Sequence, residues 1–141
     1  MILVIIVITI YMKAVERLKN RLIEELGDRI DSIVLYGSVA RKTAHKESDI
    51  DLLIVIREDD RSIYEKISKI RTHVDLENNT VTSIVHFTAE ELERCAGLHS
   101  PFIEGVLKEG VILYDRGAFK KLRDRSSYMY LNLLKTSPYP D

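Results

Sequence analysis

The chain lacks an excess of charge of either sign. Its 21 Lys and Arg residues face 22 Asp and Glu residues, which gives a formal net charge of −1. A protein that holds nucleic acid by its phosphates needs a basic surface, and no basic run interleaved with aromatic residues is present. The composition therefore argues against nucleic acid as the primary ligand.

Cysteine is nearly absent as well. Cys95 is the one cysteine among 141 residues, so no internal disulfide can form, and a reducing, cytoplasmic location is expected. We expect Cys95 to pack as a small apolar group on a helix. An apolar content of 45% in a chain of this length supports a single core and leaves no room for an added helical domain.

A run long enough to span a membrane is also missing. The apolar segment 1–11, MILVIIVITIY, is shorter than the ~20 residues that a spanning helix needs, and it lacks a basic n-region and a cleavage site. Its β-branched residues favour an added strand, a partner interface or a translated upstream extension, with Met12 as the more natural start. We favour the extension. If the segment is exposed, a sheet edge or another chain has to cover it. A homo-oligomer is one way to do so.

What the chain does have is a strand, turn and strand between Ser32 and Ile56 that carries most of the chemistry. The glycine at Gly37 permits close backbone approach, and Ser38 can start a helical turn whose N–H groups attract phosphate. Asp49 and Asp51 share one face of the second strand, with Cα atoms about 6.5 Å apart. An Asp-x-Asp at a strand start is often a solvated turn, but here a buried run, LLIVI, follows it. Two carboxylates beside a phosphate cradle suit Mg²⁺, which prefers oxygen ligands.

These residues resemble a known family. Gly37-Ser38, ten intervening residues and Asp49-Ile50-Asp51 are similar to the GS-x10-DxD signature of the polymerase-β-type nucleotidyltransferases. The GSVAR and SDIDLL segments resemble the minimal nucleotidyltransferase branch, and the likeness extends from about Met12 to Tyr114. Many members of that branch are antitoxin partners of a small helical HEPN toxin, and some transfer AMP from ATP onto a tyrosine of the toxin.

The resemblance implies a fold and a site. The fold is an α/β domain with a mixed, twisted sheet of four or five strands flanked by helices, over residues 12–135, with 136–141 as a tail. The expected strands are Ser32 to Tyr36, Asp49 to Ile56, Asn79 to Phe87 and Val111 to Tyr114. The expected site has Asp49 and Asp51 as metal ligands, with Gly37, Ser38 and Arg41 binding the nucleotide. ATP is the expected substrate, Mg²⁺ the cofactor and a HEPN-type protein the partner.

The chain departs from the family at the third carboxylate, which normally completes the metal site from a neighbouring strand. The corresponding strand reads NTVTSIVHF and has no acid, so Thr82 or Ser83 takes that place. Asp75 and Glu77, which read as turn residues just upstream, are candidate substitutes, and His86 is a candidate base.

A second departure is Lys42, which stands where many members have glycine. At positive φ a residue other than glycine would cost roughly 1–2 kcal/mol.

Two functions stay open. One is a Mg²⁺-dependent enzyme that moves AMP to a hydroxyl of a partner protein. The other is a catalytically weak or inactive module that neutralises a toxin by forming a complex.

Overall fold

The computed structural model describes residues 2–45 and 47–135, with side chains described through residue 126. Its helices are α1 (Ile2–Leu26), α2 (Gly37–Ala40), α3 (Arg61–Asn78), α4 (Ala89–Gly97), α5 (Pro101–Glu109) and α6 (Ala118–Lys135). Its strands are β1 (Ile30–Tyr36), β2 (Ile50–Ile56), β3 (Thr82–Thr88) and β4 (Val111–Asp115), and a short 3-10 turn, Gly27–Arg29, joins α1 to β1.

The strands form one mixed sheet in the order β3-β2-β1-β4. Strand β1 pairs antiparallel with both β2 and β4, whereas β2 and β3 run parallel. The crossover between the two parallel strands is α3. The predicted mixed sheet flanked by helices is confirmed, and β3 lies beside the strand that follows Asp49, as predicted.

Alternating side chains of the strands build two cores, one on each face of the sheet. On the face covered by α1 and α3, the buried strand residues are Ile30, Ile33, Leu35, Ile50, Leu52, Ile54 and Ile56. On the face covered by α4, α5 and α6, they are Val34, Leu53 and Val55. The near-continuous apolar run of β2 follows from burial on both sides.

The sequence pattern predicts an amphipathic helix that begins at Met12, but α1 already begins at Ile2, so the alternative of an added strand for the apolar segment is wrong, while the favoured extension stays a prediction. The segment has no Gly or Pro to stop a helix, and it prolongs a helix that is packed from Tyr11 onward, so no new helix nucleus is needed. Tyr11 is only 6% exposed and belongs to the core, whereas Ile2, Leu3 and Ile5 are largely exposed. The domain boundaries at residues 11 and 135 stay predictions. Within the described residues, no helix is long and apolar enough to cross a membrane.

The spacing of Ile63, Ile67 and Ile70 predicts a helix from Arg61 to Thr72, but α3 runs further, to Asn78, and Asn79 follows it in the left-handed conformation, at φ 54°. Asp75 and Glu77 are therefore helical, and their assignment to a turn is wrong.

The sequence signals for the next two helix starts are confirmed. Thr88-Ala89-Glu90-Glu91 matches a capping box, and Thr88 forms it with Glu91. Ser100 before Pro101 is a second start signal, and Ser100 caps α5, which ends before Gly110. Cys95 packs partly buried against the core, as expected. A last helix is predicted from Ala118 to about Leu134, and its Met129 and Leu133 lie outside the described side chains.

Candidate active site

Gly37 lies directly against the carboxylate of Asp51. Strand β1 ends at Tyr36, which pairs with Asp51 across the antiparallel ladder, and the chain then turns into α2. Gly37 has a φ of +76°, and a Cβ added there would collide with Asp51 Oδ2 and lie 3.2 Å from its Cγ. Only glycine satisfies both the backbone conformation and the contact. The structure therefore brings the two halves of the sequence motif together.

The two carboxylates form an electrostatic pair. Asp49 is exposed and precedes β2 by one residue, and Asp51 is partly buried near the start of the strand. Burial raises the pKa of the Asp51 carboxyl above its ordinary value, the negative charge of Asp49 raises it further, and Arg41 lowers it. The Arg41 side chain is about half exposed, and its Nη1 lies 3.9 Å from Glu109 Oε2. The site thus holds like charges that a cation would compensate.

The connection from α2 to β2 is folded by its own hydrogen bonds. The amide of Thr43 donates to the carbonyl of Ser38 at 2.9 Å. Lys42 has a φ of +59°, so the backbone strain considered for a residue other than glycine at this position applies. Further along, the His45 amide donates to Ser48 Oγ at 2.8 Å, and the Ser48 amide donates back to the His45 carbonyl at 2.9 Å. Ser48 shapes the turn before Asp49.

Tyr11 is a residue at this site that the sequence reasoning missed. Its phenol oxygen donates a hydrogen bond to the His45 carbonyl at 3.0 Å. Burial raises the pKa of the Tyr11 hydroxyl, a hydrogen bond from the backbone of Ser48 lowers it, and the charge of Asp49 raises it. No local pattern identifies such a contact, because it joins residues 34 positions apart. Helix α1 therefore reaches the turn from which Asp49 emerges.

The parallel ladder decides which residue stands in the place of the third carboxylate. Ser83 pairs with Asp51, and Thr82 pairs with Ile50. Ser83 thus shares the face of Asp51 and is exposed, whereas Thr82 is buried on the opposite face. Of the two predicted positions, Ser83 is the one beside the site. Within the described chain, no group of three or more His, Cys, Asp or Glu residues could hold a metal ion.

The other candidate substitutes lie elsewhere. Asp75 accepts hydrogen bonds from Thr80 Oγ1 at 2.8 Å and from both the amide and the hydroxyl of Thr82, at 2.9 and 2.7 Å. Glu77 lies 3.5 Å from Arg17 on the surface. His86 stacks on Tyr64 of α3 with ring centroids 3.9 Å apart, on the face away from Asp51, so its proposed role as a base is wrong.

An aromatic pair borders the Asp51 side of the site. The rings of Tyr36 and Phe102 meet edge to face, with centroids 5.3 Å apart. Burial raises the pKa of the Tyr36 hydroxyl, and the charge of Asp51 raises it further. Phe102 lies in the first turn of α5 and remains 42% exposed. Its position follows from the packing of α5 on β1 rather than from any sequence motif.

Residues 15–114, well over half of the chain, match the family described as nucleotidyltransferase domain. The chain belongs to the nucleotidyltransferase family. Two relatives from Methanocaldococcus jannaschii share the name "Putative protein adenylyltransferase". MJ0604 is 32% identical to this nucleotidyltransferase over 102 residues, which cover 72% of this chain and 96% of the relative. MJ1305 is 29% identical over 115 residues, which cover 75% and 78% of the two chains.

Solved structures show the same fold. A chain from the crystal structure of a toxin-antitoxin with AMP-PNP matches this nucleotidyltransferase with a TM-score of 0.55 at 17% identity, covering 84% of this chain and 88% of that chain. A mutant of the MntA-HpeT toxin-antitoxin matches with a TM-score of 0.54 at 16% identity, covering 82% and 86%. The resemblance to minimal nucleotidyltransferases is confirmed.

Proposed function

We propose that this nucleotidyltransferase uses Mg²⁺ to move AMP from ATP to a hydroxyl group of a partner protein. The observation that carries the proposal is the contact of the Gly37 turn with Asp51, which brings the start of a helical turn next to two carboxylates that repel each other. The names of the two archaeal relatives support a protein as the acceptor.

Asp49 and Asp51 fit a magnesium site by their donor chemistry. Both offer carboxylate oxygens, which Mg²⁺ prefers, and a bound cation would relieve the repulsion between the two charges. When bound, the metal would supply positive charge that binds the phosphate oxygens and stabilises the charge developing on the leaving group. The antiparallel ladder fixes the backbone of Asp51, and the missing side chain at Gly37 leaves room for its carboxylate.

The neighbouring residues would hold the triphosphate. The backbone N–H groups of Gly37 and Ser38 stand at the start of a helical turn, where such groups lack helical partners. Arg41 contributes a forked, permanently charged group, and its long contact with Glu109 is weak enough to exchange for a phosphate oxygen. The acceptor oxygen then forms a bond to the α-phosphorus, the bond to the bridging oxygen breaks, and pyrophosphate leaves. The hydroxyl proton passes to solvent.

We further propose an antitoxin role, with a small helical HEPN-type protein as the partner. Support comes from the minimal nucleotidyltransferase motifs and from fold neighbours described as toxin-antitoxin structures, which at their low identity show the fold alone. One observation favours a second function. Because Ser83 takes the place of the third carboxylate, the chain lacks the residue best placed to deprotonate an acceptor. A module that neutralises its partner by binding alone is the alternative.

Calorimetric titration with Mg-ATP tests the site. Asp49→Asn and Asp51→Asn should each weaken binding about tenfold or more, because each removes charge that the cation compensates. Glu77→Gln, a surface acid on α3, is the matched control and should bind like the wild type. Equal affinity in the wild type and both Asp variants would contradict the metal site.

Transfer is tested with ATP labelled on its α-phosphate and a HEPN-type protein as the candidate partner. Label on the partner, lost with Asp51→Asn, is the expected result. A stable complex without label from the wild type would support the binding module instead.

A further inference from the structure

The apolar helix α1 reaches the turn before Asp49 through one side chain. Tyr11 is 6% exposed, and its hydroxyl donates to the His45 carbonyl at 3.0 Å. The ring packs in the core with Ala14, Val15 and Leu18 of the same helix. The hydroxyl is therefore the polar end of a side chain whose apolar part is fixed by packing.

The His45 carbonyl is the point where the turn is closed. It accepts the Ser48 amide at 2.9 Å in addition to the Tyr11 hydroxyl, while the His45 amide donates to Ser48 Oγ at 2.8 Å. On the other side of Asp49, the Ile50 amide donates to the Val81 carbonyl of the segment before β3 at 2.8 Å. The backbone of Asp49 thus lies between two anchored points.

The two anchors differ in kind. Ile50 belongs to β2 and is fully buried, so the sheet holds it. Ser48 lies in a largely exposed connection, where the neighbouring Glu47 is exposed and Glu47 N bonds only to His45 Nδ1 at 3.3 Å among its described contacts. A turn of this kind opens easily unless something outside it holds it closed. Tyr11 supplies a hydrogen bond to the turn from a rigid, distant element.

We propose that Tyr11 is a positioning residue for the metal site, which fixes His45 and the Ser48 bonded to it and through them the direction of Asp49. The inference rests on the proposed function, because it treats Asp49 as a metal ligand. Residues that orient metal ligands from behind typically change metal affinity 10–100-fold when removed. Tyr11 acts one step further away, through the backbone, so we expect its removal to lower the metal affinity about threefold to tenfold.

The test compares Tyr11→Phe with Tyr64→Phe. Both substitutions remove one phenol that donates a hydrogen bond, and Tyr64 donates to Asp59 away from the site. The first measurement is amide hydrogen exchange in the full chain without metal. We expect faster exchange at Ser48 in Tyr11→Phe, severalfold above the wild type, and no change there in Tyr64→Phe.

The second measurement is a titration with Mn²⁺ alone, followed by broadening of amide signals near Asp49 and Asp51. Tyr11→Phe should raise the half-saturating concentration about threefold to tenfold. Ser48→Ala, which removes the hydrogen bond from the His45 amide to Ser48 Oγ, should act in the same direction. The double variant should lose less Mn²⁺ affinity than the product of the two single losses, because the Tyr11 and Ser48 hydrogen bonds hold the same turn.

The outcomes separate the two proposals. Equal Mn²⁺ half-saturation in the wild type and Tyr11→Phe would overturn the positioning role, and so would unchanged exchange at Ser48. A wild-type chain that binds Mn²⁺ but transfers no AMP would overturn the proposed reaction while the comparison of variants still decides the role of Tyr11. A wild-type chain that binds no Mn²⁺ would overturn both.

Discussion

Ser83 stands directly opposite Asp51 in the parallel ladder between β2 and β3. Parallel partners point to the same face of the sheet, so the hydroxyl of Ser83 is on the side where the family places its third carboxylate. Thr82, one residue earlier, points to the other face and donates its hydroxyl to Asp75. An acid introduced at Ser83 would therefore face the site, and an acid introduced at Thr82 would not, so the two substitutions can be compared directly.

We predict that Ser83→Asp speeds AMP transfer to a partner protein and that Thr82→Asp does not. A base typically contributes 10²–10⁴-fold, so an increase of about tenfold or more is expected for Ser83→Asp. Thr82→Asp would place a second carboxylate beside Asp75 in a buried position and should lower the free energy of unfolding. Rates with α-labelled ATP and melting curves check both. A faster Thr82→Asp enzyme would show that the register argument is wrong.

Asp51→Asn should stabilise the metal-free chain at neutral pH. Burial and the charge of Asp49 raise the pKa of Asp51 in the folded state. A raised carboxyl pKa contributes stability that is present below the unfolded pKa, about 4, and is lost as the pH rises through the folded pKa. At neutral pH the charged wild-type carboxylate therefore opposes folding, and the neutral amide does not.

Thermal unfolding in the presence of a chelator measures this effect. The gain in Tm from Asp51→Asn should be largest near neutral pH and should shrink as the pH falls toward about 4. Added Mg²⁺ should raise the Tm of the wild type more than that of the variant, because a ligand stabilises the folded state according to its affinity. A variant that melts below the wild type at neutral pH without metal would contradict the prediction.

Gly37→Ala should weaken Mg-ATP binding about tenfold or more, because its new Cβ would displace the Asp51 carboxylate. The positive φ adds a strain of roughly 1–2 kcal/mol. Gly27→Ala is the matched control, since Gly27 has a φ of +52° and nothing within 4 Å of an added Cβ. Both variants should lose stability, and Gly37→Ala alone should lose affinity in calorimetry. Equal Mg-ATP affinities of the two variants would show that Gly37 does not contribute to the binding site.

Asp75→Ala should destabilise the fold without changing metal affinity. The Asp75 carboxylate accepts three hydrogen bonds that join α3 to the start of β3, and their loss should cost about 2–4 kcal/mol. Glu77→Ala breaks only a surface ion pair with Arg17 and should cost less than about 1 kcal/mol. Urea unfolding and Mn²⁺ titration are the measurements. Weaker Mn²⁺ binding by a stable Asp75→Ala variant would assign Asp75 to the metal site.

Local patterns predicted the sheet and the helix caps well. The apolar run of β2 shows burial on both faces, and the capping residues Thr88 and Ser100 mark helix starts by chemistry that acts within a few residues. The contact between Gly37 and Asp51 was also predictable, because the motif places Gly37 at the end of one strand and Asp51 at the start of the strand that pairs with it. These features depend on interactions between residues that are close in the sequence or lie on adjacent strands.

The errors arose where distant packing decides. The β-branched residues of segment 1–11 favour a strand by propensity, yet the segment continues a helix whose stripe is fixed by the core. The same holds for the end of α3, where Asp75 bonds to Thr82 across a turn. Whether Thr82 or Ser83 faces the site depends on a register between strands that a helix separates. Tyr11 and Phe102 reach the site only through the tertiary fold.

The position of β3 at one edge of the sheet decides how accessible the site is to a large molecule. Within the described residues, no strand lies beyond β3, so Ser83 belongs to an outer strand of the sheet and is open to solvent. Asp51 lies one strand inward and is partly buried, and Asp49 just before that strand is exposed. For the transfer proposed above, a large acceptor would approach from the side of β3 without passing through a narrow opening. Selection among acceptors would then depend on the surface that docks around the site, not on the size of a pocket.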